Sequence, residues 1–258
     1  MKELLIEKDG HVVIITLNRP EKRNAMALAM WQRLGELFVE LDTDDSVRAI
    51  ILTGAAGHFC AGADISEFPK VRNNAQAGKE YDAVADGCEA AIHHCKKPTI
   101  AAINGVCVGG GMGLAVCCDF RIASRGSRFG ITAARLGIIY SLTETQILYD
   151  VVGASASKRI LMSGDIFDSD EANRLGLLQQ LVESNALEAA QLFASRLAVN
   201  APLSVLGAKD IISRISSGTA KNDGEAIEKL VLDAFDSNDY IEGQKAFMEK
   251  RAPDFLGK

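Results

Sequence analysis

Residues 97–116, Lys-Pro-Thr-Ile-Ala-Ala-Ile-Asn-Gly-Val-Cys-Val-Gly-Gly-Gly-Met-Gly-Leu-Ala-Val, constrain this chain more than any other stretch. An apolar β-rich run, Thr99 to Ile103, leads through Gly109, Gly110 and Gly111 into an apolar helical segment, Met112 to Cys117. No side chain here serves as acid or base. What the segment offers is backbone. Glycine tolerates the φ/ψ values and close approach that leave successive N–H groups free at a helix N-terminus, where partial positive charge suits an oxyanion. The same residues also fit a tight strand-to-helix turn that serves packing alone.

A second segment, His58-Phe59-Cys60-Ala61-Gly62-Ala63-Asp64-Ile65-Ser66-Glu67-Phe68, follows the strand-like Val47 to Gly54, and a third, Leu17-Asn18-Arg19-Pro20-Glu21-Lys22-Arg23-Asn24-Ala25, lies upstream. Together with the triple glycine, in this order and spacing, they resemble the enoyl-CoA hydratase/isomerase (crotonase) family. The resemblance continues through Phe129-Gly130 and Leu136-Gly137 to the end of the chain. It implies an α/β fold, a spiral of β/β/α units followed by a C-terminal helical region, and an oxyanion hole formed by the amides of Ala63 and Gly110 around the thioester carbonyl of an acyl-CoA. It also implies substrate contacts from Ala61, Asp64, Ile65, Phe68 and Gly109, with Lys22, Arg23 and Lys250 near the phosphates of coenzyme A. Lys250 or Arg251 would reach across from a neighbouring subunit. As isolated residues, those cations are also ordinary solvated charges.

Size and charge are compatible with this reading. The chain has 258 residues, enough for one large core. Its net charge of −6 argues against nucleic acid as a partner. Met1-Lys2-Glu3-Leu4-Leu5 lacks the pattern of a signal peptide and reads directly into a strand, so a cytoplasmic protein is expected, without a membrane partner. The six cysteines contain no C-x-x-C, and the four histidines offer no ligand spacing. Reduced, buried thiols and no metal are expected. Gly111-Met112-Gly113 begins a G-x-G but lacks the third glycine of a dinucleotide site. No cofactor is expected: coenzyme A belongs to the substrate.

Periodicity places strands at Val12 to Leu17, Ala49 to Thr53, Thr99 to Ile103 and Phe120 to Ala123, and helices at Leu28 to Leu41, Glu80 to His94 and Met112 to Cys117. From Leu142 onward the pattern is almost wholly helical, with amphipathic segments at Leu187 to Leu197, Leu203 to Ile215 and Glu225 to Phe235. A spiral core is expected over residues 1–195 and a helical region over 196–258. The resemblance implies that the latter packs subunits into a homotrimer or homohexamer. Ser66 to Gly78, polar and interrupted by Pro69, reads as a surface loop or as a lid over the acyl group.

One absence stands out. Hydratases of the family use two glutamates, and the motifs align Gly113 and Ala133 with those positions. Neither can move a proton. Slow hydration is therefore expected, because acid–base help is worth ~10²–10⁴ per group, and a single carboxylate restored at 113 or 133 should help less than both together. Tyr140, in Leu136-Gly137-Ile138-Ile139-Tyr140-Ser141-Leu142, falls where relatives carry an acid residue, and this segment also resembles methylmalonyl-CoA decarboxylases. The decarboxylases, however, keep the glutamate replaced here by Gly113 and have histidine at Ala63. Alternatively the Tyr140 hydroxyl is a polar tip bonded to backbone. Glu144 is a weaker candidate acid, and Asp64 and Glu67 are candidate loop caps. Three functions thus remain open: a hydratase-family lyase or isomerase, a decarboxylase using Tyr140, and a noncatalytic acyl-CoA-binding protein.

Overall fold

The structure, a computed structural model, describes residues 3–258. In chain order the strands are β1 (Leu4–Asp9), β2 (Val12–Leu17), β3 (Ala49–Gly54), β4 (Thr99–Ile103), β5 (Val106–Val108), β6 (Phe120–Ser124), β7 (Arg128–Gly130), β8 (Phe167–Asp168) and β9 (Gln180–Val182). The helices are α1 (Leu28–Asp42), α2 (Phe68–Val71), α3 (Ala75–His93), α4 (Gly110–Cys117), α5 (Leu142–Ser163), α6 (Ser169–Arg174), α7 (Ala186–Ala198), α8 (Pro202–Ser216), α9 (Gly224–Phe235) and α10 (Asn238–Glu249). A six-stranded sheet runs β1-β2-β3-β4-β6-β9, parallel except for the β1–β2 hairpin, and a three-stranded sheet runs β5-β7-β8.

Alternation along the large sheet explains its two covered faces. Val13, Ile15, Ile50, Leu52, Ala101 and Ile103 belong to the core that includes α1, α3 and α4. Their neighbours Val12, Ile14, Ala49, Ile51, Ile100 and Ala102 pack with Ala186, Ala190, Ala194 and Ala198 of α7. Alanine every fourth residue makes one smooth helical stripe that can lie close to the sheet. Each fully buried Ile or Leu contributes about 1.5–3 kcal/mol of transfer free energy, so both layers are strongly fixed.

The four strands and three helices that periodicity places fall on β2, β3, β4 and β6 and on α1, α3 and α4, the short β5 and β7 are additional, and three details differ. The stretch 66–78 is not a plain loop: Pro69 sits in the first turn of α2, where its missing N–H costs nothing, and Asn74 caps α3 by accepting from Ala77 N at 3.0 Å. Helix α3 therefore starts at Ala75 rather than Glu80. Within the helical second half, β8 and β9 intervene, and β9 forms the sheet edge beside β6. Helix α7 ends at Ala198, so the change from sheet-covering helix to the terminal helices follows that residue.

Candidate active site

The three sequence motifs converge. The segment after β3 runs beside the α4 N-terminus: Met26 N donates to Gly62 O at 2.8 Å, Asp64 N to Met26 O at 2.8 Å, and the backbones at residues 60 and 107 pair in a parallel β-bridge. Gly109 turns β5 into α4 at φ +55°, the left-handed region that favours glycine. A Cβ placed on Gly62 would lie 3.3 Å from the Gly110 nitrogen, and one on Gly110 would lie 3.7 Å from the Ala63 nitrogen. The two amides are thus side by side. Neither N–H has a hydrogen-bond partner among the described residues, and both residues line one cavity of about 220 Å³. An unpaired N–H at the start of α4, beside a second unpaired N–H from the loop after β3, can hold a developing oxyanion.

Ala61, Ile65, Phe68 and Gly109 also line this cavity. Asp64 does not project free into it. Its carboxylate accepts from Arg19 Nη2 at 2.9 Å, Lys22 Nζ at 2.7 Å and Ser66 N at 3.2 Å. Burial pushes this carboxyl up, but the bonds from Lys22, Ser66 and Arg19 prevail and hold it well below the usual range. Glu67 likewise acts as a cap, accepting from Leu28 N at 2.9 Å at the start of α1. Lys22 is engaged with Asp64, whereas exposed Arg23 has no side-chain partner among the described residues. Lys250 ends α10 at φ +54° and is not part of the cavity wall, and Arg251 is paired with Glu242 and Glu249.

Asp64→Asn is expected to destabilise the fold by about 2 kcal/mol at pH 7, since it weakens charged hydrogen bonds at a buried oxygen. The folded value lies below the ordinary 3.8, so the contribution is complete above that pH and is lost as the pH falls through the folded value. Urea unfolding at pH 7 and pH 3 should show the variant's deficit shrinking in acid.

The far wall holds what the sequence reading missed. Carboxylate oxygens of Asp86 and Glu89 on α3 and Glu144 on α5 lie within 4.8 Å of one another. Glu89 is 4% exposed and has no hydrogen bond or ion pair among the described residues. Burial drives its carboxyl well above the usual carboxylate range, and the negative charges of Glu144 and Asp86 add to the effect. Glu144 is raised too, first by burial, although it accepts from Ser141 N at 2.7 Å in a capping box at the start of α5. A Cβ built on Gly113 would overlap Glu89 Oε1. Position 113 is bare, and the volume a side chain would take there holds the carboxyl of Glu89.

Tyr140 stands beside this group. Its hydroxyl has no hydrogen bond among the described residues, and burial followed by the charges of Glu144 and Glu89 pushes its titration well upward. The tip bonded to backbone is thus not what the structure shows. Trp31 Nε1 and the Tyr81 hydroxyl are buried in the same wall. They approach each other without the geometry of a hydrogen bond, so burial still pushes Tyr81 up to about 12. Arg72 covers the rings of Phe68 and Tyr81 at 5.3 Å and is paired with Asp82 at 2.7 Å. All six cysteines are free and buried, with thiols raised by desolvation, which removes them as nucleophiles.

Comparison with known proteins agrees with the architecture. The family described as "Enoyl-CoA hydratase/isomerase" matches residues 7–258. The chain is 35% identical to an (E)-benzylidenesuccinyl-CoA hydratase from Thauera aromatica over 257 residues, 98% of each chain. It is 34% identical to a 2,3-dehydroadipyl-CoA hydratase from Escherichia coli K12 over the whole of both chains. A crystal structure of an enoyl-CoA hydratase/carnithine racemase from Magnetospirillum magneticum superposes with a TM-score of 0.95 at 36% identity, covering 100% of this chain and 97% of that one. No helix among the described residues is long and apolar enough to cross a membrane. With the paired amides, the glycine-led helix and the spiral of strands in place, the match across nearly all of its length shows that this chain belongs to the enoyl-CoA hydratase/isomerase, or crotonase, family.

Proposed function

We propose that this protein hydrates the double bond of an enoyl-CoA thioester, holding the thioester enolate on the N–H groups of Ala63 and Gly110. The observation that carries this reading is the adjacency of those two unpaired amides in a cavity. The similarity to an (E)-benzylidenesuccinyl-CoA hydratase and a 2,3-dehydroadipyl-CoA hydratase supports it. Addition at the β-carbon pushes negative charge onto the carbonyl oxygen, and preorganised donors stabilise that charge more than they stabilise the neutral thioester. Coenzyme A enters as part of the substrate. Arg23 is the better placed of the two upstream cations for its phosphates, because Lys22 is shared with Asp64.

Decarboxylation by Tyr140 fits less well. Asp86, Glu89 and Glu144 surround the wall beside Tyr140, and a malonyl-type carboxylate would add another negative charge there. A noncatalytic binder would have no need of a buried, unpartnered carboxyl such as that of Glu89. Mass spectrometry on a panel of thioesters tests all three: gain of water by an enoyl-CoA supports hydration, loss of CO₂ from methylmalonyl-CoA supports the decarboxylase, and binding without turnover supports a carrier.

Tyr140→Phe keeps the ring in place. Since the hydroxyl has no partner to lose, melting temperature should be unchanged, while kcat should fall about 10-fold if the hydroxyl orients water or substrate. Unchanged kcat would leave Tyr140 as wall only. Exposed Val231, Leu232, Phe235, Ile241, Phe247 and Met248 on α9 and α10 favour burial between subunits, in support of a trimer or hexamer. Light scattering coupled to size exclusion measures that state directly.

A further inference from the structure

Gly113 and Ala133 leave the α4 and Ala133 sides of the cavity without acid or base, yet the cavity is not without them. Glu89 reaches in from α3, is nearly fully buried and unpartnered, and fills the space beside Gly113. Glu144 meets it from α5 within 4.8 Å. We propose that Glu89 and Glu144 are the acid–base pair of this enzyme and share one proton, Glu144 taking a proton from the attacking water and Glu89 delivering one to the α-carbon of the thioester. The inference rests on the reading of Ala63 and Gly110 as an oxyanion site.

Two carboxyls this close in a buried wall cannot both ionise cheaply, so one proton stays with the pair. Glu89 is the more buried and has no donor to stabilise its charge, whereas Glu144 accepts the Ser141 N–H. The resting proton therefore belongs on Glu89 and the charge on Glu144. The groups facing Glu89 are Asp86 and Cys88 on its own helix, Cys117 on α4, Glu144 on α5 and Tyr140. None is a cation, so nothing nearby favours ionised Glu89.

The step balances. Water loses a proton to the Glu144 carboxylate as its oxygen bonds to the β-carbon. The π pair of the double bond moves to give the enolate, whose oxygen lies on the two amides. The enolate then forms a C–H bond at the α-carbon with the proton of Glu89, leaving Glu89 ionised. Transfer of the proton from Glu144 to Glu89 restores the pair, with one water added and no net change of charge.

Three measurements on the full chain test this. The first is hydration of crotonyl-CoA by wild type, Glu89→Gln and Glu144→Gln, with butyryl-CoA affinity by calorimetry as the check on the pocket. Each variant should lose 100-fold or more in kcat and keep its butyryl-CoA Kd within about threefold. The second is the pH dependence of melting. Because Glu89 binds its proton more tightly folded than unfolded, wild type should lose stability as the pH rises above the ordinary carboxylate range, and Glu89→Gln should not, so the gap in melting temperature between them should widen with pH. The third is Gly113→Ala, whose methyl displaces the Glu89 carboxyl while favouring the helix; activity should fall without loss of fold. Full activity in Glu89→Gln, or a melting gap that does not widen with pH, would overturn the pair while leaving the oxyanion reading intact. A divalent ion bound to the three carboxylates, removed by EDTA together with activity, would also overturn it. Failure of wild type to bind or convert any thioester would instead overturn the oxyanion reading beneath it.

Discussion

Gly110→Pro is expected to reduce kcat/KM for an enoyl-CoA substrate ~10²–10³-fold below that of Gly110→Ala, the loss associated with one oxyanion donor. The comparison needs both variants. A Cβ at position 110 would lie 2.9 Å from Cζ2 and 3.0 Å from Cη2 of Trp31, so any side chain there forces the indole to move. Alanine and proline share that disturbance, and only proline deletes the N–H. Gly110 is the first residue of α4, where the fixed φ of proline is compatible with the helix and no intrahelical bond is lost. Steady-state kinetics with a parallel thermal melt separates the two costs. Equal activity in the two variants would remove the Gly110 amide from the chemistry.

Gly113→Glu should have a large effect in the direction opposite to the one the sequence suggests. By family alignment, a carboxylate at 113 restores a missing group and ought to speed hydration. In the structure that space is taken by Glu89, beside Asp86 and Glu144, and Gly113 is itself buried. The variant would force another carboxyl into the space Glu89 occupies, with an expected cost of about 3 kcal/mol or more from overpacking and an uncompensated buried acid. Unfolding in urea and crotonyl-CoA hydration should both register a loss. A stable Gly113→Glu protein that hydrates faster than wild type would show that the wall has room and that Glu89 is a bystander.

These two glycines show how far the residues alone could be read. The 97–116 segment declared its strand, turn and helix because each step is a local property: β-branched and small apolar residues, then a residue required at positive φ, then an apolar helix. The Ala63–Gly110 pairing was legible through the family motifs, and the geometry places those amides side by side. The short strand β9 was hidden because three residues carry no measurable period. Helix α2 was hidden because Pro69 reads as a breaker unless its place in the first turn is known.

Glu89 was hidden for a different reason. It lies 24 positions before Gly113, and only the packing of α3 on α4 brings the two together. A signal was nonetheless present. Tyr81, Cys88 and Ile92 mark the buried stripe of α3, and Glu89 sits next to Cys88 on its edge, an acid where the pattern calls for an apolar residue. Such violations are where function tends to reside, because burying a carboxyl without a partner is costly and a fold retains one only for a use.

Formation of a thioester enolate in this cavity is measured most directly by α-proton exchange, without any commitment to the substrate's chain length. Butyryl-CoA cannot be hydrated, but its α-protons can leave to an active-site base and return from solvent. Incubated with the wild-type protein in D₂O and followed by mass spectrometry, it should gain deuterium at the α-carbon well above the protein-free rate, with the gain abolished in Gly110→Pro. Butyryl-CoA that binds the protein yet exchanges no faster than in buffer would contradict enolate formation on the Ala63 and Gly110 amides.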